Sequence, residues 1–492
     1  MRGLIFIVLC VLSTTGVGQN IHFIKSYGNT GYDIAKDIKQ SLDTGYIVTG
    51  SSSSFIPDNA EAFLFKVDSL GNYQWSYNYG GTGSDWGESV ILTNDSGYAI
   101  SGFTNSSGNG GFDFYLVKTD SLGTPLWEKT YGGGDWDKSF DLQQMPDSGF
   151  ILVGETYSYG GGGTDIYVVR TDKFGDTVWT RTYGGMENDV ANAVLVDGDS
   201  LVVVGSTESF GNGMKDGIIL KYHIDGTLGW SKVVGMERED YFTSIVKNTV
   251  NEYFIGGSRT YYYDQTGFLN DFWIYNISSD GNILYGDTSM TGGSHEVEIA
   301  HDLVIDPLDN IYYGGSTKSF GYATLDFKED AFLGKLQSNY YQASYIQNFG
   351  EAGKDVVYGM DFCYDGGVVA TGELAFNSTG GGNFFIAKVD KDNTLLNFQV
   401  ITDLQYEDLT LSAENFNSSE SLNIYPTIVE NNLNIEGFNN KGQLQIVDMN
   451  GGLQASFNSI PNKIDLSKLH AGMYILIITT ESNTYTTKLI KN

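Results

Sequence analysis

A 52-residue repeat constrains this chain more than anything else in it. Tyr27-Gly28, Tyr79-Gly80-Gly81, Tyr131-Gly132-Gly133 and Tyr183-Gly184-Gly185 open successive units, each tyrosine 52 residues after the last. Looser starts follow, so that units begin near 27, 79, 131, 183, 234, 291 and 349. Modules of this size cannot bury their own faces and must stack or circle. In the second unit the pattern predicts strands over 88–93, 98–102, 113–119 and 125–130. Asn94-Asp95-Ser96-Gly97, a glycine-rich loop at 108–111 and Asp120-Ser121-Leu122-Gly123 separate them as turns. Four strands in each of seven units predict an all-β chain with a seven-bladed β-propeller over residues 19–404. A solenoid of stacked coils competes, but its repeats are usually shorter and nothing would stop it at seven.

The first strand of each unit carries a second periodicity. An acid recurs just before it, as Asp33, Asp85, Asp137, Asp189, Asp240, Glu298 and Asp355. Two places on stand Ala35, Gly87, Ser139, Ala191, Phe242, Ala300 and Val357, and four places on stand Asp37, Ser89, Asp141, Ala193, Ser244, Asp302 and Gly359. Strict alternation puts both sets on one face of mostly small residues, turned to a crowded axis. The apolar position that follows, from Ile38 to Met360, would then pack between blades. For ring closure, Ile21–Ser26 reads as a fourth strand, with Phe23 where Trp75, Trp127, Trp179 and Trp230 stand in other units. Leu395–Ile401 competes for the same place.

The net charge of −32 repels phosphate backbones and anionic lipid, which excludes nucleic acid as a partner. Arg2, the apolar run Leu4–Leu12 and Gly16-Val17-Gly18 read as a signal peptide, residues 1–18, cut before Gln19. Cys363 is then the single mature cysteine, and an intramolecular disulfide is impossible. No later stretch is apolar enough for a transmembrane segment in the mature chain.

After residue 404 the repeat stops. Residues 405–420 read as a polar linker, and 421–492 show about seven short strands, a small Ig-like β-sandwich pattern. This tail resembles the C-terminal sorting domain (type A) of the Bacteroidetes type IX secretion system. Asn423-Ile424-Tyr425-Pro426, Asn432-Leu433-Asn434-Ile435, Val447–Gly451, Ile464-Asp465-Leu466 with Leu469, Gly472-Met473-Tyr474 and Lys488–Asn492 carry the resemblance. Thr427-Ile428 departs from the Asn-Pro usual in the family. The likeness implies Tyr425, Pro426, Asp465, Leu469, Gly472, Tyr474, Lys488 and Lys491 as the sorting motif and the type IX machinery as partner. It also implies a product secreted or held at the cell surface on the outer membrane. The hairpin from Asp120 to Trp127 is similar to turns of pyrroloquinoline-quinone propellers and of sialidases, but only as a structural turn.

Catalytic constellations are scarce, and no catalytic residue is assigned. His295-Glu296 lacks the second histidine of a zinc protease motif, since Ile299 stands four places on. The seven recurrent acids recur in every unit, which assigns them to the fold; the competing reading is a Ca²⁺ site. No other cofactor is expected. A further series, Glu61, Asp113, Asp165, Asp216, Asp271 and Asp330, has Lys66, Lys118, Arg170, Lys221 and Lys335 five places on. These fall on opposite strand faces and cannot pair within the strand; a neighbouring blade offers one place for a partner, and the series reads as structural. Ligand contacts should instead vary between blades. The connections between second and third strands carry Tyr159, Phe210, Tyr261, Tyr262, Tyr263, Phe320 and Tyr322, which are assigned to ligand binding. The expectation is an exported, non-catalytic binding or structural module for a glycan or surface protein. The alternatives are a glycan-active enzyme and a calcium-dependent adhesin.

Overall fold

The computed structural model describes residues 23–28, 31–54, 59–263, 267–289, 298–318, 329–336, 343–349, 353–375 and 382–390. In the tail it describes 423–425, 428–429, 432–436, 443–448, 453–459, 461, 463–469, 472–479 and 484–491. The signal peptide, the linker and Leu395–Ile401 lie outside the described residues. Two compact units divide the chain, at Asp408/Leu409.

The first unit is seven four-stranded antiparallel sheets. In the second blade the strands are Asp85–Leu92, Tyr98–Thr104, Asp113–Thr119 and Pro125–Tyr131. The inner strand starts earlier than the sequence suggests because the recurrent acid is its first residue, with Asp85 paired to Thr104. The seventh sheet settles the closure. Val356–Phe362, Val368–Ala375 and Gly382–Val389 come from the end of the repeat, and Phe23–Tyr27 adds the outer strand, in register from Phe23↔Lys388 to Tyr27↔Phe384. A strand from the start of the chain thus covers an edge that would otherwise be open.

The seams explain the sequence motif. In the first four blades the fourth strand lays an aromatic ring on the glycine of the next blade's outer turn: Trp75 on Gly123, Trp127 on Gly175, Trp179 on Gly226 and Trp230 on Gly281. At Gly123 the backbone has φ +82°, and a Cβ would stand 2.5 Å from the Trp75 ring, so both conformation and space require glycine. Four residues after the tryptophan, Tyr79 and Tyr131 donate hydrogen bonds to the carbonyls of Gly123 (2.6 Å) and Gly175 (2.7 Å). Phe23 and Tyr27 treat Gly71 of the first blade in the same way.

Every inner strand carries a β-bulge, which leaves one residue unpaired: Lys36, Glu88, Phe140, Asn192, Thr243, His301 or Tyr358. A bulge breaks the alternation of faces. Ala35 and Ile38, three apart, are therefore both buried between blades, as are Ala191 and Val194. Of the two sets expected to face the axis, the one from Asp37 to Gly359 lines the central opening, whereas the one from Ala35 to Val357 does not. At Gly87 the latter set meets the preceding blade: a Cβ there would lie 2.4 Å from Thr49 Oγ1 and 3.0 Å from the Gly50 carbonyl.

The basic residues of the third strands find partners other than the acids of their own strand. Lys66, Lys118, Arg170 and Lys388 are buried and pair within their own blade, with Asp43, Asp95, Asp147 and Asp365 of the turn between first and second strands, at 3.0, 3.0, 2.6 and 3.0 Å. Lys221 instead reaches the Tyr253 hydroxyl of the next blade (3.1 Å).

In the second unit, Asn423–Tyr425, Asn432–Glu436 and Lys463–Asp465 form one sheet. Ile428–Val429, Thr484–Lys491, Gly472–Thr479, Gln443–Asp448 and Leu453–Phe457 form a second, in that order.

Candidate functional site: the central cavity

The recurrent acids stand where their strands begin, nearly without solvent contact, and accept hydrogen bonds from their own surroundings. Asp85 takes the Gly81 amide (2.9 Å), the Ser106 hydroxyl (2.7 Å) and the Thr104 hydroxyl. Asp137 takes Gly133 N (2.8 Å), Ser158 Oγ (2.7 Å) and Thr156 Oγ1. Among the described residues no group of three or more His, Cys, Asp or Glu side chains is placed to hold a metal ion.

The ring instead encloses a cavity of about 930 Å³ between the bulges and the turns that end the inner strands, in the size range of small-ligand sites. All seven bulge residues line it. On one side they form a contiguous polar group. Lys36 Nζ lies 3.6 Å from Glu88 Oε2 and 4.5 Å from the centre of the Tyr358 ring, and His301 meets Tyr358 edge-on at 5.3 Å. Burial raises the Glu88 pKa, against the pull of Lys36. Burial, with the charges of Lys36 and Lys354, lowers His301 to about 3, so its imidazole is neutral at physiological pH. Across the cavity stand Phe140, Val196, Ile245 and Val246. Asn192 and Thr243 are tied to the next blade, donating to the carbonyls of Phe242 (2.6 Å) and Ala300 (2.8 Å).

Three aspartates in the wall serve the backbone. Beside each bulge one inner-strand amide loses its ladder partner. Asp37, Asp141 and Asp302 accept their own following amides, Ile38, Leu142 and Leu303, each at 2.8 Å, through Oδ1. Through Oδ2 they accept the matching amide of the next blade, Val90 (2.9 Å), Val194 (2.8 Å) and Met360 (2.8 Å). The next blade then has Ser89, Ala193 or Gly359 at the aspartate position, which explains why these acids never fall on adjacent blades. Burial would depress the Lys39 pKa, but Asp37, Asp361 and Asp302 outweigh it and hold the ammonium charged.

Of the aromatics chosen from sequence, Tyr159 and Phe210 are not among the residues that line this cavity. Tyr159 is exposed, donates to the Gly132 carbonyl (2.7 Å) and lies against Tyr167. Phe210 is exposed beside Tyr183. Tyr261, Tyr262 and Tyr263 end the strand Glu252–Tyr263, pairing with Leu269, Phe268 and Gly267; their side chains lie outside the description. Phe320 and Tyr322 lie outside the described residues. Sequence reasoning missed the bulge ring. Its signal was the burial-prone apolar residue three places after the small one, an odd spacing that no regular strand gives. Of the sorting motif, Gly472 pairs with Lys491 and Ile475 with Lys488, Tyr474 is buried, the Leu469 amide donates to the Leu466 carbonyl (3.0 Å), and Pro426 lies outside the described residues.

Ring and tail together define an exported seven-bladed β-propeller that carries a C-terminal sorting domain. Residues 423–492 match the family described as secretion system C-terminal sorting domain, a match to the tail and not to the ring. The tail therefore marks the chain for secretion through the type IX machinery. The chain is similar over 140 residues, at 29% identity, to the regulatory protein FlaEY of Caulobacter vibrioides, covering 25% of this chain and 14% of that protein's length. Among solved structures, PorZ of Porphyromonas gingivalis, a surface component of the type IX secretion system, is similar at 10% identity and TM-score 0.40, over 93% of this chain and 59% of that one. An α-L-arabinanase of Penicillium chrysogenum is similar at 8% identity and TM-score 0.45, over 76% and 98%. No helix among the described residues is long and apolar enough to cross a membrane.

Proposed function

We propose that the protein is a non-catalytic glycan-binding module, displayed on or released from the cell surface, and that the ligand enters the central cavity. One observation carries this reading. Positions that pack the blades repeat around the ring, whereas the seven bulge residues differ at every blade. Folding needs recur in each repeat; contacts to an asymmetric ligand do not. A wall of Lys36, Glu88, His301 and Tyr358 opposite Phe140 offers hydrogen-bonding groups on one side and an apolar face on the other, which suits a sugar. The test is a glycan array probed with the secreted full chain and with Lys36→Ala and Tyr358→Ala. Either substitution is expected to weaken the strongest signals tenfold or more. Binding indifferent to both would overturn the proposal.

A further inference from the structure

One seam departs from the others in a way the central cavity does not absorb. At the end of the ring where the recurrent acids stand, blades two and three meet in a continuous run of rings. Trp86 stacks on Phe103 (5.7 Å, 16°), Phe103 meets Phe112 edge-on (5.3 Å), and Phe112 meets Trp136 edge-on (5.6 Å). The positions of Trp86 and Trp136 are held by Ile34 and Tyr32 in the first blade and by Val190 and Asn188 in the fourth, so the array is not part of the repeat.

The array is built and then left open. Trp136 is 48% exposed although its backbone is pinned: its carbonyl accepts the Tyr157 amide (2.8 Å), and its amide donates to Asp135 Oδ1 (3.0 Å). The glycine loop before Phe112 makes room for it, since a Cβ on Gly111 would stand 2.0 Å from the indole. Lys138 lies over both Phe103 (5.8 Å) and Trp136 (5.2 Å), and its charge is met by Glu155 at 3.3 Å. A rigid half-exposed indole keeps an apolar face in water that folding alone does not need.

We infer that this array is a second binding surface, separate from the central cavity, and that it takes a neutral oligosaccharide. The class follows from the chemistry. Sugar C–H faces are electropositive and pack on the negative face of an aromatic ring, while their hydroxyls need the acceptors that Asp135 and Glu155 supply. An anionic polymer meets no free cation here, because Lys138 is neutralised, and it meets a chain of net charge −32. A protein partner needs about 800 Å² of surface on each side, and half an indole supplies roughly 100 Å².

Affinity electrophoresis of the secreted full chain against cellohexaose, laminarihexaose and xylohexaose, with polygalacturonate as the anionic comparison, tests this. At least one neutral hexasaccharide should bind. Trp136→Ala should weaken it tenfold or more at an unchanged melting temperature, Trp136→Phe should weaken it less, and Lys36→Ala should leave it alone. Three results would overturn the inference: no neutral hexasaccharide binds, polygalacturonate alone binds, or the weakening follows Lys36→Ala and not Trp136→Ala. The last would leave the central cavity as the site.

Discussion

The Tyr27 hydroxyl donates to the Gly71 carbonyl at 2.6 Å, joining a strand from the start of the chain to the first complete blade. Tyr131 and Gly175 make the same bond within the ring at 2.7 Å. Closure thus uses the same contact as the seams that follow the first and second blades. Each phenylalanine variant leaves a buried carbonyl without its donor, at about 1 kcal/mol. Urea unfolding should show Tyr27→Phe and Tyr131→Phe losing stability to a similar extent. A neutral Tyr27→Phe beside a costly Tyr131→Phe would place the closure elsewhere.

The wall aspartates should behave as braces. Asp302→Ala strands the amides of Met360 and of Leu303, although Ser244 Oγ retains a longer contact with the second (3.1 Å). The expected loss is about 2–3 kcal/mol. Asp302→Asn keeps an acceptor and should recover at least half of it. Equal losses from both variants would mean that charge and not backbone capping is what counts.

Two ion pairs of similar length should differ sharply. Lys118 is buried against Asp95 (3.0 Å), and Asp95→Ala leaves its ammonium with only the Thr119 carbonyl. Lys129 and Asp176 (2.9 Å) are both exposed. Denaturant melts should show about 2 kcal/mol lost in the first case and under about 0.5 in the second.

Asp141 gives the pH dependence. Burial pushes its pKa from 3.8 to about 7, and Asp37 adds to this, against the Val194 amide, the Ser89 hydroxyl and Lys39. Ser89 Oγ lies 3.0 Å from Asp141 and 3.2 Å from Asp37, and one hydroxyl proton cannot serve both carboxylates. An acid whose folded pKa is raised binds more protons folded than unfolded, so its contribution to stability falls as pH climbs from about 4 to 7. Asp302, raised to about 6 chiefly by burial, acts in the same direction. Asp141→Asn should match the wild type at pH 4 and exceed it at pH 8 in thermal melts. An unchanged pH slope would contradict this.

The repeat made the blade count and most strand positions legible, because Tyr-Gly-Gly, the Asp-x-x-Gly turns and the outer tryptophans all serve local packing and so recur. Phe23 pointed to the closure, but only pairing with Gly382–Val389 separates it from Leu395–Ile401 as a reading. The cavity was hidden by the bulge. Counting alternate residues from Asp33 leads to Asp37 and passes over Lys36, the residue that the bulge turns inward. The partners of Lys66 and Lys118 were missed because they lie 23 residues back, in a turn that reads simply as a turn. Trp86 and Trp136 are 50 residues apart and belong to different repeats, so only the ring brings them together.

The cavity, the seam array and the braces all require a ring closed by Phe23–Tyr27. Amide hydrogen exchange on the secreted full chain tests that most directly. The ladder amides of residues 23–27 and their partners in 384–388 should be protected to the same degree as those of Pro125–Tyr131 and the strand it pairs with. Exchange of residues 23–27 at the rate of an unstructured peptide, with the interior strands still protected, would contradict the account.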